Sequence, residues 1–127
     1  MDKTVGVLGG GQLGRMFAEA ANRLNIQVNF LDAPGAPAKQ ITNHDGHENG
    51  SFKDAEAIQK LATKCDVVTV EIEHVDTHVL EQISAETDVQ PSWKTIRTIQ
   101  DKYLQKEHLQ KYDVATCLLY TSDAADE

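Results

Sequence analysis

The sequence has few cysteines, no long apolar run and no excess of positive charge. Its two cysteines, Cys65 and Cys117, are too few for a disulfide framework. No apolar run approaches the roughly 18 residues of a membrane-spanning helix, and no signal peptide precedes the first strand-like segment. The formal net charge is −8, and no basic stripe is present to neutralise nucleic-acid phosphates. We therefore expect a cytoplasmic, soluble protein that binds neither nucleic acid nor membrane.

Strand-like and helix-like patterns alternate along the 127 residues, of which 40% are hydrophobic. Apolar β-prone runs predict strands at residues 5–8, 28–31 and 67–72, with a brief fourth strand at 89–90. Helical spacing of apolar residues lies between these strands, and a long helical pattern with a break or bend begins after Ser92. Such alternation predicts an α/β fold, a Rossmann-like parallel sheet built from βαβ units with right-handed crossovers.

Two helix patterns and one loop are defined well enough to be tested. The first helix has one apolar face, and the second has a buried stripe and a capping-box-like Ser51 and Asp54 before it. The polar stretch 42–50 is predicted to be a loop. We expect His44 and His47 within it to be solvated, because their spacing is not that of a regular zinc motif. The apolar face of the first predicted helix consists of Leu13, Met16, Phe17, Ala20 and Leu24.

Glycines between the first strand and the first helix form the most informative stretch. Gly9, Gly11 and Gly14 satisfy G-x-G-x-x-G, and Asp32 follows at the end of the second strand, as in a dinucleotide fingerprint. Glycine permits positive φ and close approach of a ligand, and a helix N-terminus favours phosphate. The pattern alone leaves two interpretations open: a nucleotide or sugar-phosphate site, or a tight turn without a ligand.

Acidic residues follow the third predicted strand. Alternation along a strand would send Glu71 and Glu73 to the same side, with Ile72 opposite. Two close carboxylates suit hydrogen bonding to sugar hydroxyls, although a solvated strand end explains them equally well. Ligands of parallel sheets bind beyond the carboxyl ends of the strands, where this segment, Asp32 and the glycines all fall.

Several segments together resemble one family, and the resemblance covers residues 1–116. The chain is similar to the N-terminal, pre-ATP-grasp domain of N5-carboxyaminoimidazole ribonucleotide synthetases. The family's fungal form is called phosphoribosylaminoimidazole carboxylase, and residues 20–26, 37–41 and 49–52 resemble that form in particular. The segments common to the family are residues 9–16, 71–75 and 95–102, followed by Gln105 and Lys106.

This resemblance implies an activity in which ATP activates bicarbonate as carboxyphosphate, and the 5-amino group of aminoimidazole ribonucleotide then takes up the carboxylate. It implies that the present domain holds the ribonucleotide rather than NAD. ATP and Mg²⁺ would serve the full-length enzyme, which we expect to be a homo-oligomer. Neither a catalytic residue nor a metal ligand is expected in this chain.

The resemblance also implies the substrate contacts. These are Gly10, Gly11, Gln12 and Leu13 along the ribose and phosphate, Glu73 on ribose hydroxyls, and His74 beside the substrate. Lys102 would contact ATP phosphates.

The same resemblance divides the chain into three parts. Residues 1–91 would be the substrate-binding domain, residues 92–116 the helical start of a link to an ATP-grasp domain, and residues 117–127 an artefactual tail of a truncated gene. We expect such a fragment to be inactive alone. The alternative is an NAD(P)-binding Rossmann module, which the glycines and Asp32 favour and Gln12 and Glu73 disfavour.

Overall fold

Five parallel strands form one sheet in the computed structural model, which describes residues 2–42 and 44–117. The strand order is β3-β2-β1-β4-β5, so both neighbours of β1 are reached by crossovers. This confirms the predicted α/β class and the parallel βαβ arrangement. The predicted tail lies outside the described residues except for Cys117. The elements are β1 Thr4–Leu8, α1 Gln12–Arg23, β2 Gln27–Asp32, α2 Pro37–Ile41, β3 Glu48–Asn49, α3 Ala55–Ala62, β4 Val67–Val70, α4 Thr77–Ile83, β5 Asp88–Val89, α5 Trp93–Gln100 and α6 Lys102–Lys111.

Apolar side chains fill both faces of the sheet. On one face, Val7 and Phe30 pack with the small residues of α1 and α2. On the other face, Leu8 and Leu31 pack with α3, α4 and the start of α5. Successive strand residues point to opposite faces, so Val7 and Leu8 divide between the two cores. The result is a three-layer sandwich with the ends of the strands left open for loops.

Helix α1 lies close to the sheet because only small residues face it. Gly14, Ala18 and Ala21 are its buried residues. The large apolar residues of the predicted face lie on the outside instead, with Leu13 63% exposed and Met16 57% exposed. Periodicity therefore identified the apolar stripe, whereas the buried stripe consists of glycine and alanine.

The stretch predicted to be a polar loop contains β3, and His47 within it is half-buried. His47 Nδ1 accepts a hydrogen bond from the Phe30 N–H at 3.0 Å. Its Nε2 lies 2.8 Å from the carbonyl oxygen of Thr42, to which it can donate. Burial lowers the pKa of His47. His44 is also half-buried: its Nε2 lies 3.0 Å from the Val28 carbonyl oxygen, and its Nδ1 accepts from the Gly46 N–H at 3.1 Å. The expectation of solvated histidines is therefore wrong for both His44 and His47, which tie the 42–47 segment to β2.

Aspartate and serine caps begin four of the helices. Asp54 Oδ1 accepts from the N–H groups of Glu56 and Ala57, so Asp54 is the N-cap of α3 and not the fourth residue of a capping box. Ser92 caps α5 as predicted. Asp101 ends α5 and caps α6, which is the expected break in the long helical pattern.

No helix among residues 2–42 and 44–117 combines the length and the apolar character required to cross a membrane.

Candidate functional site

The glycine turn joins β1 to α1 at the carboxyl edge of the sheet, and the N–H groups of Gly9 and Gly10 bond to the end of β2. Gly9 has φ +99°, a conformation that favours glycine. Its N–H donates to the Leu31 carbonyl at 3.0 Å. The Gly10 N–H donates to Asp32 Oδ2 at 2.7 Å, and Asp32 Oδ1 accepts from the Ala33 N–H at the same distance. Both oxygens of Asp32 therefore already accept backbone hydrogen bonds.

The carboxylate of Glu71 lies against the N-terminus of α1. Its Oε2 accepts a hydrogen bond from the Gly11 N–H at 2.7 Å. A Cβ added at Gly11 would lie 2.8 Å from Oε1, and one added at Gly14 would lie 2.9 Å from Oε2. Gly9 would bring a Cβ within 3.1 Å of the same side chain. The three glycines of the fingerprint thus surround a side chain of this protein.

Gln12 and Leu13 are the first two residues of α1, and both side chains are exposed. Gly11 is the N-cap and makes no side-chain cap bond. The amide of Gln12 can both donate and accept, and it stands at the end of the sheet where ligands of parallel folds bind. The backbone N–H groups of Gly10 and Gly11, by contrast, already donate to carboxylates.

The segment after β4 separates the two glutamates that strand alternation would have placed together. Strand β4 ends at Val70, so the alternation does not continue into the acidic residues. Glu71 turns toward the glycine turn, whereas the Glu73 side chain is 48% exposed and lies beside His74, with 3.6 Å between Oε1 and Nε2. Such an exposed pair contributes little stability. The Glu73 carboxylate and the His74 ring are therefore free to reorient toward a ligand.

Gln100 holds the loop that carries Glu73. Its Nε2 donates to the carbonyl oxygens of Glu73 at 2.6 Å and Val75 at 2.7 Å. Helix α5 is in turn attached to α4 by Arg97, which donates to Thr77 Oγ1 at 3.1 Å and to Glu81 Oε2 at 3.0 Å. Gln100 lies within the 95–102 segment that resembles the family, but the sequence analysis predicted no role for it in the site.

Lys39 fixes the neighbouring part of the same edge. Its Nζ donates to the Asp32 carbonyl at 2.6 Å, to Asn49 Oδ1 at 2.9 Å and to the carbonyl of Glu48. Burial lowers the pKa of Lys39, and the nearby carboxylates of Asp32 and Glu48 oppose that shift. Sequence reasoning missed this lysine because contacts with backbone carbonyls leave no pattern in the sequence.

The structure brings some of the predicted site residues together and places another on a separate element. Gly10, Gly11, Gln12 and Leu13 form one turn, and Glu71 connects that turn with the loop of Glu73 and His74. Lys102 is instead the exposed first residue of α6, a helix that packs against α5. Among the described residues, no group of three or more His, Cys, Asp or Glu could hold a metal ion.

Two open depressions of the surface lie away from these loops. One, of about 420 Å³, is lined by residues at the amino ends of β1 and β2, including Thr4 and Gln27. The other, of about 630 Å³, lies between the C-terminal ends of α3 and α4. Ligands of parallel sheets bind at the opposite, carboxyl edge. We therefore locate the candidate site by the glycine turn and the 71–74 loop, which belong to that edge.

The fold and the site define a Rossmann-like domain that carries a glycine turn and an acidic loop at its carboxyl edge. A family model described as "Ribonucleotide synthetase preATP-grasp domain" matches residues 1–100. The chain belongs to this family of ribonucleotide synthetase pre-ATP-grasp domains.

Named relatives of the chain also belong to the family of ribonucleotide synthetases. The chain is 54% identical to phosphoribosylaminoimidazole carboxylase of Saccharomyces cerevisiae, over 98% of this chain and 22% of that protein. It is 33% identical to N5-carboxyaminoimidazole ribonucleotide synthase of Staphylococcus haemolyticus, over 85% of this chain and 29% of that protein. The chain thus spans less than a third of the length of either relative.

A solved structure from Aspergillus clavatus shows the same fold. It is N5-carboxyaminoimidazole synthase in complex with ADP and 5-aminoimidazole ribonucleotide, and it superposes with a TM-score of 0.85 at 66% identity. The match covers 87% of this chain and 29% of that one. Its complex with ATP matches with a TM-score of 0.89 at 63% identity, over 91% of this chain and 30% of that one.

Proposed function

We propose that this chain is the ribonucleotide-binding domain of an enzyme that carboxylates 5-aminoimidazole ribonucleotide with ATP and bicarbonate. The observation that carries the proposal is the 66% identical Aspergillus clavatus structure, whose complex contains 5-aminoimidazole ribonucleotide and ADP. A ligand of this fold binds at the carboxyl edge of the sheet. The glycine turn and the 71–74 loop occupy that edge and supply polar groups suited to a sugar phosphate.

In this proposal the glycine turn provides one wall of the site. The side-chain amide of Gln12 forms hydrogen bonds with the ribose and the phosphate, and Leu13 lies beside Gln12. The N–H groups of Gly10 and Gly11 are engaged by Asp32 and Glu71. The space that a Cβ of Gly11 would fill is taken by Glu71. These two glycines therefore shape the turn and do not donate to a phosphate.

Glu73 provides the second wall. A carboxylate has two oxygens and can accept from both neighbouring hydroxyls of a ribose. Gln100 holds the Glu73 backbone, so the position of the carboxylate is restricted while its side chain stays accessible. His74 lies next to it and can contact the base or the ribose from the same loop.

We expect the sites for Mg²⁺ and the triphosphate to need residues from the parts of the relatives that this chain does not span. Phosphoryl transfer requires several cations placed around the transferring group. Lys102 is the one residue assigned to ATP phosphates here, and it begins a helix outside the glycine turn and the 71–74 loop. We therefore assign substrate binding to this chain and place ATP, Mg²⁺ and bicarbonate activation in the parts of the relatives that it does not span. The chain alone should not release phosphate from ATP.

Thermal unfolding of the purified chain tests the proposal, because a ligand that binds only the native state raises the melting temperature. 5-Aminoimidazole ribonucleotide should raise it more than NAD does at equal concentration. Gln12→Ala and Glu73→Ala should reduce the response. A lost hydrogen bond between neutral groups weakens binding by about 0.5–1.5 kcal/mol, or roughly two- to twelvefold in Kd, and a lost bond to the Glu73 carboxylate weakens it by about 1.5–3 kcal/mol. Gln59→Ala and Glu86→Ala are matched controls, because both side chains are exposed and line the opposite depression, Gln59 on α3 and Glu86 in the turn after α4. A larger response to NAD, or unchanged responses in both site variants, would contradict the proposal.

A further inference from the structure

Glu71 is the one acidic side chain that bonds to the N-cap of α1 among the described residues, and it is not among the residues assigned to the substrate. Its carboxylate accepts from the Gly11 N–H at 2.7 Å. Its backbone is fixed as well, because the Glu71 N–H donates to the Leu8 carbonyl at 2.9 Å and extends the pairing of β4 with β1. The side chain is thus held from strand β4 against the turn that leaves strand β1.

We propose that Glu71 is a specificity determinant that fills the anion position of this dinucleotide-like turn and so excludes a pyrophosphate. The N-terminus of a helix attracts anions through its free N–H groups and its dipole. In a dinucleotide-binding fold the pyrophosphate takes that place, and the glycines allow it to approach. Here the space that Gly9, Gly11 and Gly14 leave open is occupied by Oε1 and Oε2 of Glu71.

Asp32, the acidic residue expected of a dinucleotide site at the end of the second strand, also bonds within the protein. In that fold, the acidic residue that ends the second strand binds a ribose hydroxyl. In this chain Asp32 Oδ2 accepts from the Gly10 N–H and Oδ1 from the Ala33 N–H. A pyrophosphate at this turn would therefore meet two carboxylates, Asp32 and Glu71, where it needs N–H donors. Like charges at such distances repel strongly.

This inference rests on the proposed function only in taking the carboxyl edge as the binding surface. It explains how a chain with the G-x-G-x-x-G spacing can exclude NAD while it binds a ribonucleotide: the monophosphate would meet the exposed Gln12 amide and not the Gly11 N–H, which Glu71 already occupies, and Glu73 would bind the ribose. The Glu71 carboxylate, which excludes the pyrophosphate, and the Glu73 carboxylate, which binds the ribose, belong to the same segment after β4. The two glutamates are separated by Ile72 alone and have opposite roles.

The test removes the carboxylate and measures whether an anion site appears. Glu71→Ala and Glu71→Gln are compared with the parent chain for thermal response to inorganic pyrophosphate and to NAD. Both variants should gain a rise in melting temperature with pyrophosphate, about 5 °C or more once its concentration is tenfold above Kd. The parent should shift by less than about 1 °C under the same conditions. A purely structural role for Glu71 would lower the melting temperature without creating this response.

Glu73→Gln is the matched control, because it removes the same charge from the same loop but leaves Gly11 bonded to Glu71. It should gain no response to pyrophosphate. An equal gain in Glu73→Gln would assign the effect to net charge and overturn the inference, as would no gain in either Glu71 variant. Glu71→Gln keeps the shape and one acceptor of the side chain; if it failed to fold, the carboxylate would be a stability element and the inference would be wrong. The response of the parent to 5-aminoimidazole ribonucleotide tests the proposed function separately.

Discussion

Replacing Gly14 by alanine probes the contact between the glycine turn and Glu71 most sharply. Inside a helix the change from glycine to alanine normally stabilises by up to about 1 kcal/mol. Here the new Cβ would lie 2.9 Å from Glu71 Oε2, and 3.3 Å from both the Gly9 carbonyl oxygen and Phe30 Cε1. Overpacking of this kind costs about 1–3 kcal/mol. Displacing Glu71 also weakens a charge-assisted hydrogen bond worth about 1.5–3 kcal/mol. Gly14→Ala should therefore lower the free energy of unfolding by about 1–3 kcal/mol.

A double-mutant cycle with Glu71→Ala identifies the cause. Without the Glu71 side chain, the shortest contact of the new Cβ is absent, and the two neighbours at 3.3 Å need to move by only a few tenths of an ångström. The cost of Gly14→Ala should then be smaller by about 1 kcal/mol or more, measured by urea unfolding with an unchanged m-value. Gly10→Ala is the control, because its Cβ would meet its neighbours at 3.4–3.5 Å. Additive costs within about 0.5 kcal/mol would refute this reasoning.

Three further predictions follow from contacts outside that turn. Burial holds the pKa of His47 below its ordinary value of 6.5, so the folded state binds a proton less tightly than the unfolded chain. The contribution of His47 to stability should be complete above pH 6.5 and decrease as the pH falls below 6.5. Measured by urea unfolding at a series of pH values, His47→Gln should flatten this dependence between about pH 7.5 and 5.5, and an unchanged dependence would contradict the role of His47. Asp54→Ala should lower the free energy of unfolding by about 0.5–2 kcal/mol through loss of the α3 cap, and a cost near zero in urea unfolding would reject that role. Gln100→Leu should raise the Kd for 5-aminoimidazole ribonucleotide severalfold while costing under about 1 kcal/mol of stability, because it releases the Glu73 backbone; an unchanged Kd in a titration would show that the loop needs no such support.

The sequence predicted the parallel sheet, because each strand is a short apolar run followed by a helical period. Strands β1 and β2 lie where the patterns placed them, β4 forms the first four residues of the predicted 67–72 strand, and α5 begins after Ser92 as the helical pattern indicated. Strand β3 was missed because two residues, Glu48–Asn49, are too few to show alternation. Helix α2 was not predicted, because it is only five residues long and begins with Pro37.

Periodicity could not show which stripe of α1 is buried. It scores large apolar residues, whereas the sheet accepts Gly14, Ala18 and Ala21 because they allow the helix to lie close to Phe30. Leu13 and Met16 consequently face outward. The distance between a helix and a sheet depends on how the layers pack together, so the spacing of residues along one helix does not show it.

The sequence predicted that the glycine turn, Asp32 and the acidic segment share the carboxyl edge of the sheet, where the structure has them, but it did not predict the contacts among them. The G-x-G-x-x-G spacing identified the turn, and it equally suited a bound phosphate. What occupies the N-terminus of α1 depends on Glu71, which is 60 residues away in the chain. Likewise, Gln100 bonds to the backbone carbonyl of Glu73 in the loop after β4, and Lys39 bonds to the backbone carbonyls of Asp32 in β2 and Glu48 in β3. Contacts with backbone carbonyls are fixed by the fold and have no local signature.

Amide chemical shifts of the isotope-labelled chain during titration with 5-aminoimidazole ribonucleotide test the central claim most directly. The account predicts saturable shifts at Gly11, Gln12 and Leu13 and at Glu73 and His74, together at the carboxyl edge of the sheet. Residues around the opposite depression, such as Thr4 and Gln27, should be unchanged. Shifts confined to that depression, or no shifts at the glycine turn up to saturating ligand, would contradict the account.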